Sequence, residues 1–355
     1  MQDLETAASE QFRDQPLLER YRLPVDSYML NLLTQTPGLP GRMVEYHLGF
    51  RDGDGSLSLG DRSEGKAVRP TLCLLTVDAV GGNWERAVPA AAGLELFHNF
   101  TLIHDDIQDE DETRHGKPTV WKLWGKEQAI NAGDAAHLLS SNAILGLQAT
   151  GYSAEQVLQA HGLLTETGVK IVEGQTMDID FERRLDVSVD EYMQMIRGKT
   201  GIFLESAIVM GALLGSASED TTAMLREYGS SIGVAFQIAD DALGIWGDTE
   251  KTGKPVGADI KKRKKTYPVV LALNQAEGSM KEQLEALYHK TEELDDADVE
   301  RVLAIFDALD IRSQARAMTD KSTADAISSI GLADIDEGLR EDYLALAVRL
   351  ANRQK

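Results

Sequence analysis

Cysteine is nearly missing: Cys73 is the only one in 355 residues. An intrachain disulfide is therefore excluded, and a reducing, cytoplasmic compartment is expected. Its flanks, RPTLCLLTV, place Cys73 inside a helix as a core thiol rather than a nucleophile. Net positive charge is also lacking, since 36 Lys and Arg stand against 58 Asp and Glu for a formal charge of -22. Nucleic acid is disfavoured as a partner, because proteins that track phosphate backbones carry a basic stripe. Long apolar runs are absent as well: stretches such as ESAIVMGALLG fall well short of the roughly 20 residues that span a bilayer. No membrane span is expected, and the N-terminal MQDLETAASEQF has neither the basic nor the apolar region of a signal peptide. Strand-like alternation is almost absent, and no repeat or low-complexity tract is visible.

What is there is helical periodicity. Apolar residues recur at helical spacing through VDSYMLNLLTQ, AVPAAAGLELFHNFTLIHDD, AINAGDAAHLLSSNAILGLQA, AEQVLQAHGLLTETGVKIVEGQTMDI and LREYGSSIGVAFQIADDALGIW. Several of these segments carry apolar or small residues on most faces, as helices deep in a bundle do. The expectation is an all-α chain of roughly ten to thirteen helices. Residues 1–355 read as one large helical domain, with 1–37 an N-terminal extension whose role the sequence leaves open. Breaks fall at TPGLPGR, RDGDGSLSLGDRSEG, RHGKPT, GDTEKTGKPVGAD and NQAEGSM, where Gly, Pro and Asp cluster. The acidic segment KTEELDDADVE reads most simply as an exposed helix junction.

Six carboxylates crowd the eight positions from Asp105 to Glu112, directly after an apolar run. Residues four apart share a helix face, so Asp105 and Asp109 point the same way, with Asp106 about 100° around. Negative charge at a helix C-terminus opposes the helix dipole, and a divalent cation would resolve the conflict. A solvated helix end is the plainer reading of such a cluster alone. The design recurs, however, in AFQIADDALGIWGD, where Asp240 and Asp241 end a second apolar helix and Asp248 and Asp259 follow. Magnesium seldom takes an all-protein cage and usually bridges one or two carboxylates to a phosphorylated ligand. The ligand expected is thus a phosphate or diphosphate. Cations to hold its oxygens are present: Lys66 and Arg69 before a helix, Arg114 after the first cluster, Lys199 beside Thr200 in an apolar helix, and Lys254 and Lys264 after the second cluster. Lys199, in an apolar helix, needs an anionic partner. For Lys254 and the run from Lys261 to Lys265 a solvated loop is an equal reading.

Seven segments, GKAVRP, LFHNFTLIHDDIQDEDETRHGKPT, AINAGD, EGQTMDIDFE, IRGKTG, FQIADDALGIWGD and GKPVGADIKKRKKTYP, together resemble the trans-prenyltransferases, the polyprenyl synthase or isoprenyl diphosphate synthase family. The resemblance implies an all-α fold around a central cavity, a homodimer, and two aspartate-rich motifs facing each other with about three magnesium ions on an allylic diphosphate. Carried over by position, Asp105, Asp106 and Asp109 bind metal from one side, and Asp240 from the other with Asp241 in support. Arg114, Lys199, Lys254 and Lys264 hold the allylic diphosphate. Lys66, Arg69 and His98 hold isopentenyl diphosphate, and Gln175, Asp178 and Gln237 line the reaction centre. The implied reaction ionises the allylic C–O bond and joins the cation to isopentenyl diphosphate, with the Lys199 carbonyl, Thr200 and Gln237 stabilising the cation.

Two positions depart from the family pattern. The third acid of the second motif is Gly244, leaving Asp248 as a substitute to be tested, and the second arginine after the first motif is His115. The family's length rule places an aromatic residue at the fifth position before the first motif in enzymes with short products. Phe100 is that residue, Thr101 adjoins it, and Phe97 lies about 12 Å from Asp105 along the helix. Farnesyl or geranylgeranyl diphosphate is expected, the latter favoured. The rival readings are a class I terpene cyclase on the same fold and a non-catalytic regulatory subunit of a prenyl synthase. Lys66, Arg69 and His98 count against the cyclase, which has no need of a second diphosphate site.

Overall fold

The computed structural model describes residues 15–58, 67–247 and 256–352. Lys66, Asp248 and Lys254 lie outside the described residues. Within them run thirteen helices of eight or more residues, counting the continuous span Val189–Gly215 once. They are α1 (Arg22–Thr34), α2 (Leu39–His47), α3 (Val68–Ala79), α4 (Val88–Gln108), α5 (Lys126–Leu145), α6 (Ala154–Phe181) and α7 (Val189–Gly215). The series continues with α8 (Glu219–Trp246), α9 (Tyr267–Gln275), α10 (Gly278–Tyr288), α11 (Asp296–Ala308), α12 (Ile311–Leu332) and α13 (Glu337–Ala351). The breaks coincide with the Gly- and Pro-rich segments. Proline opens α2, α4 and α9 at the first helical positions, where its missing N–H costs nothing. The described strands amount to one hairpin, Thr113–Arg114 against Lys117–Pro118.

Contacts gather the chain into two compact units, residues 1–165 with 207–218, and residues 166–206 with 219–355. In the first, α4 carries a nearly continuous buried run from Val88 to Gly93, and its small residues let neighbouring helices come close. The described part of the N-terminal extension belongs to this core: Tyr21, Val25, Met29 and Leu33 are buried, and the Tyr21 and Trp84 rings meet edge to face at 5.2 Å. In the second unit, Tyr192, Ile238, Ile245, Val270, Leu284 and Phe306 share one apolar core, and Tyr228 donates its hydroxyl hydrogen to the Tyr343 carbonyl at 2.7 Å. The KTEELDDADVE junction is mostly exposed, with Leu294, Asp298 and Val299 buried. Asp295 caps α11 in a reciprocal capping box with Asp298, which is buried and holds Lys290 and Arg301 at 2.5 Å each.

The span α7 is long and apolar enough to cross a membrane by length and composition, and 67% of that apolar window is buried inside the protein. Its middle, Arg197–Gly201, widens into a π-turn. Such a turn opens the helical ladder and frees backbone groups, and it is often found at functional sites. The sequence around it explains how it is accommodated. A Cβ added at Gly174 of α6 would stand 2.4 Å from the Lys199 nitrogen, and one at Gly233 of α8 would stand 2.5 Å from the Gly201 Cα. Only glycine lets both helices press on the turn.

Candidate active site

In the first unit, α4 ends at Gln108, with Asp105 and Asp106 in its last turn and Asp109 as its C-cap, the Asp109 N–H donating to the Asp105 carbonyl at 2.8 Å. The two adjacent aspartates are unequal. Asp106 is buried, 1% exposed, and Arg114 sets Nε and Nη2 on its Oδ1 at 2.8 and 2.7 Å. Its other oxygen, Oδ2, is buried with no hydrogen-bond partner. Burial pushes the Asp106 carboxyl above the usual carboxylate range, against the pull of Arg114. Asp105 is half-buried and Asp109 exposed.

Arg114 is delivered by a two-residue hairpin turn. His115 and Gly116 have φ of +50° and +72°, the paired left-handed conformation that such turns demand. The departure to His115 therefore lies at the exposed tip of the turn. The remaining acids fasten this loop rather than sit free in solvent: Glu110 pairs with Lys126 at 2.7 Å, Glu112 with Lys122 at 2.6 Å, and the Asp111 carbonyl accepts from Thr119 and from the Trp121 indole, each at 2.9 Å.

Arg69, in the first turn of α3, stands with Arg114 and His47 about His98. Burial and these three neighbours hold the His98 imidazole well below the usual histidine range. Its neutral ring, with the Arg69 and Arg114 guanidiniums beside it, is arranged for an anion. His47, at the end of α2, was not marked by the sequence, where a lone histidine carries no signal. Burial, Arg114 and His115 push it down to about 3, opposed by a hydrogen bond with Asn99, whose amide also donates to the Glu95 carboxylate at 3.2 Å.

Along α4, Phe97 is buried and Phe100 half-buried, and their rings meet edge to face at 5.0 Å. Thr101 turns its hydroxyl back to the His98 carbonyl at 2.7 Å.

In the second unit Lys199, on the π-turn, donates to Asp178 Oδ2 of α6 at 2.5 Å, which supplies the anionic partner that its apolar helix requires. Gln175 is half-buried one turn before Asp178. Thr200 donates its hydroxyl hydrogen to Gln237 Oε1 at 2.8 Å, and Gln237 Nε2 donates to Asp241 Oδ1 at 3.0 Å. The other oxygen of Asp241 accepts from the Tyr192 hydroxyl and from the Tyr267 backbone N–H, the latter at 2.9 Å. Burial pushes the Asp241 carboxyl up to about 7 despite these donors. Asp241 thus has both oxygens engaged and fixes the orientation of Gln237, whereas Asp240 beside it is exposed.

One turn after Asp240 comes Gly244, and a Cβ added there would lie 1.8 Å from Asp259 Oδ2. The space of the missing third acid is filled by another carboxylate. The basic run nearby divides: Lys261 pairs with Asp296 at 2.6 Å, Lys264 is exposed, and Lys265 is buried with its ammonium 4.9 Å from the Tyr288 ring centroid.

Among the described residues no three His, Cys, Asp or Glu side chains converge on a single metal position. The unpartnered Asp106 Oδ2, beside Asp105 and Asp109, fits a hard cation completed by oxygens of a ligand.

Comparison with known proteins bears on this geometry. The polyprenyl synthetase family pattern matches residues 60–306. A geranylgeranyl diphosphate synthase of Mycobacterium tuberculosis is 36% identical over 95% of this chain and 93% of its own length. A farnesyl diphosphate synthase of Mycobacterium bovis is 42% identical over 64% of this chain and 61% of its own. The crystal structure of a polyprenyl synthetase from Streptomyces coelicolor superposes with a TM-score of 0.86 at 35% identity, covering 94% of this chain and 98% of that one. The all-α fold, the order of the motifs and these likenesses agree, and the chain belongs to the polyprenyl synthetase family, the trans-prenyltransferases.

Proposed function

We propose that the protein condenses isopentenyl diphosphate with an allylic diphosphate, dimethylallyl, geranyl or farnesyl, and releases geranylgeranyl diphosphate. The observation that carries this reading is the Arg114–Asp106 pair, a buried carboxylate with one oxygen held by a guanidinium and the other left for a cation. Asp105, Asp106, Asp109 and Asp240 are the proposed ligands of magnesium, about three ions with the diphosphate completing their shells. When bound, magnesium supplies positive charge against the leaving diphosphate. Arg114, Lys199, Lys254 and Lys264 hold that diphosphate by charge-assisted hydrogen bonds. Lys199 changes partner from Asp178 to do so. Lys66, Arg69 and His98 hold isopentenyl diphosphate, and His47 extends that group.

The Thr200–Gln237–Asp241 chain bears on the cation that ionisation leaves. With its hydrogen committed to Gln237, Thr200 keeps oxygen lone pairs for a positive centre, and Gln237 Oε1 keeps a second lone pair of its own. Fixed dipoles of this kind stabilise charge without reorganising. The buried apolar run of α4 supports exclusion of the water that would quench the cation. Phe97, Phe100 and Thr101 line the end of the growing chain. The exposed leucine-type stripe of α5, Ile130, Leu138 and Leu145 at 47%, 69% and 53%, supports a homodimer contact. Cys73, buried with its thiol pushed up by burial, fits the cytoplasm expected from the sequence. The cyclase and regulatory readings are not favoured, because Arg69 acts on His98, two of the three residues proposed for a second diphosphate.

The test is purified protein with magnesium, labelled isopentenyl diphosphate and each allylic primer in turn, products being resolved by chain length. Elongation ending mainly at twenty carbons is expected. No elongation from any primer overturns the reaction, and a fifteen-carbon end product overturns the product assignment alone.

A further inference from the structure

We infer that Asn99, on α4, is a positioning residue for isopentenyl diphosphate: together with Glu95 it ties His47 and Arg69 into one hydrogen-bonded and charged unit, without itself being a ligand of the anion. The inference rests on the isopentenyl diphosphate reading of Arg69 and His98 given above.

The buried residues of α4 are apolar or glycine except for Asn99 and Asp106. Asp106 has its role beside Arg114, so Asn99 is the one that needs a reason. A buried amide is costly unless its donors and acceptor are used, and a leucine would fill nearly the same space without that demand. Asn99 uses all of them. Its Nδ2 donates to the Glu95 backbone carbonyl at 2.8 Å and to the Glu95 carboxylate at 3.2 Å. With both amide hydrogens given to Glu95, Oδ1 is left to accept from the His47 ring, its hydrogen-bond partner at the end of α2. A polar side chain that merely satisfied itself inside a helix would stop at the carbonyl one turn back. This one goes on to a carboxylate and to a second helix.

Glu95 carries the connection to a third. Burial pushes its carboxyl up, and Arg69, in the first turn of α3, is the strongest of the groups that hold it down, followed by Asn99. The remaining charges that face Glu95 are Arg22 and Asp26 of α1, themselves paired at 3.6 Å. The series Arg69, Glu95, Asn99, His47 therefore begins and ends on groups that act on His98. An anion with several oxygens needs its donors at set places, and long side chains lose rotamer freedom when a ligand gathers them. Asn99 and Glu95 order both ends of the series before the ligand arrives. Their loss weakens binding of isopentenyl diphosphate and leaves the ionisation of the allylic substrate alone.

The experiment measures kcat and the KM of each substrate, isopentenyl diphosphate and a geranyl primer, in wild type, Asn99→Leu, Glu95→Leu, Glu95→Gln and the double leucine variant. Asn99→Leu and Glu95→Leu are each expected to raise KM for isopentenyl diphosphate about tenfold, with kcat and KM for the primer within about threefold of wild type. The double variant is expected to do no worse than either single one, because the two side chains act as a unit. Glu95→Gln keeps an oxygen for the Asn99 amide and removes a negative charge, so its KM for isopentenyl diphosphate is expected to stay at or below that of wild type. An unchanged KM in Asn99→Leu, a loss spread over kcat and both KM values, or a tenfold rise in Glu95→Gln overturns the inference. Should Asn99→Leu fail to fold, Asn99→Thr, whose hydroxyl bonds back to the Glu95 carbonyl and reaches no further, takes its place with the same expectation. Failure of the proposed function is separate, because there the wild type itself elongates no primer.

Discussion

Arg114 and Asp106 form an asymmetric pair: two guanidinium nitrogens reach one carboxylate oxygen, at 2.8 and 2.7 Å, and the second oxygen is left unpartnered in a buried position. They lie eight positions apart in sequence, and the intervening chain passes through Glu110, whose φ is +55°. The pair holds Asp106 ready for a cation at the cost of an unsatisfied acceptor.

Removing the guanidinium has a signed pH consequence. Asp106 already has its folded-state pKa raised by burial, so its ionised form opposes folding, and that penalty grows as pH rises through the folded value. Arg114→Ala takes away the main group that opposes this rise. The variant is expected to lose about 2 kcal/mol at neutral pH and to need a higher pH for magnesium-dependent binding of inorganic diphosphate. Calorimetric titration across pH 6 to 9, at about half-unit steps, reads the shift; coincident pH profiles for wild type and variant would refute it.

Asp241 offers a second titration. Its folded carboxyl is pushed up to about 7, so between its ordinary value and about 7 the folded state holds a proton that the unfolded chain has released. Its contribution to stability is greatest below that window, declines as pH rises through it, and is level above. Asp241→Asn removes this dependence. It also presents an amide hydrogen to Gln237 and turns the Gln237 side chain over, taking Oε1 away from Thr200. Expected are a flatter melting temperature against pH and a loss of about 100-fold in kcat. A variant of full activity would show that the orientation of Gln237 is immaterial.

Gly244 and Asp259 form an exchange pair. With only 1.8 Å between the position of an added Cβ and Asp259 Oδ2, Gly244→Asp overfills the space and is expected to cost about 1–3 kcal/mol. Adding Asp259→Gly to it should recover most of that loss and restore one acid to the place. A double-mutant cycle by thermal unfolding measures the coupling; additive losses would mean that the two side chains do not compete.

The π-turn gives the fourth case. Gly174→Ala would set a Cβ 2.4 Å from the Lys199 nitrogen, against backbone that cannot yield as a flexible side chain would. Loss of about 2 kcal/mol or more is expected, with weaker diphosphate binding because Lys199 moves with the turn. Unaltered melting and binding would count against the close packing described.

Much of this protein is legible in its residues. Helical periodicity, the Gly and Pro breaks and the order of the acidic and basic segments give the all-α class and the family, because each is a local property of the chain. Long-range partners are not local. Tyr192 and Tyr267 reach Asp241 from 49 and 26 residues away, His47 joins His98 from another helix, and Glu110 and Glu112 find Lys126 and Lys122 across a loop. None of these carries a spacing that marks it in advance.

The division is clearest in the two aspartate pairs. The sequence by itself determined that each pair ends an apolar helix and that carboxylates and cations alternate after it. Only the tertiary structure decided which member turns inward: Asp106 and Asp241 are buried and held by donors, while Asp105 is half-buried and Asp240 exposed. Successive helical residues differ by about 100° in direction, so one of two neighbours faces the core and the other leaves it. The rotation of the helix makes that choice, and the rotation is set by side chains packed along its whole length.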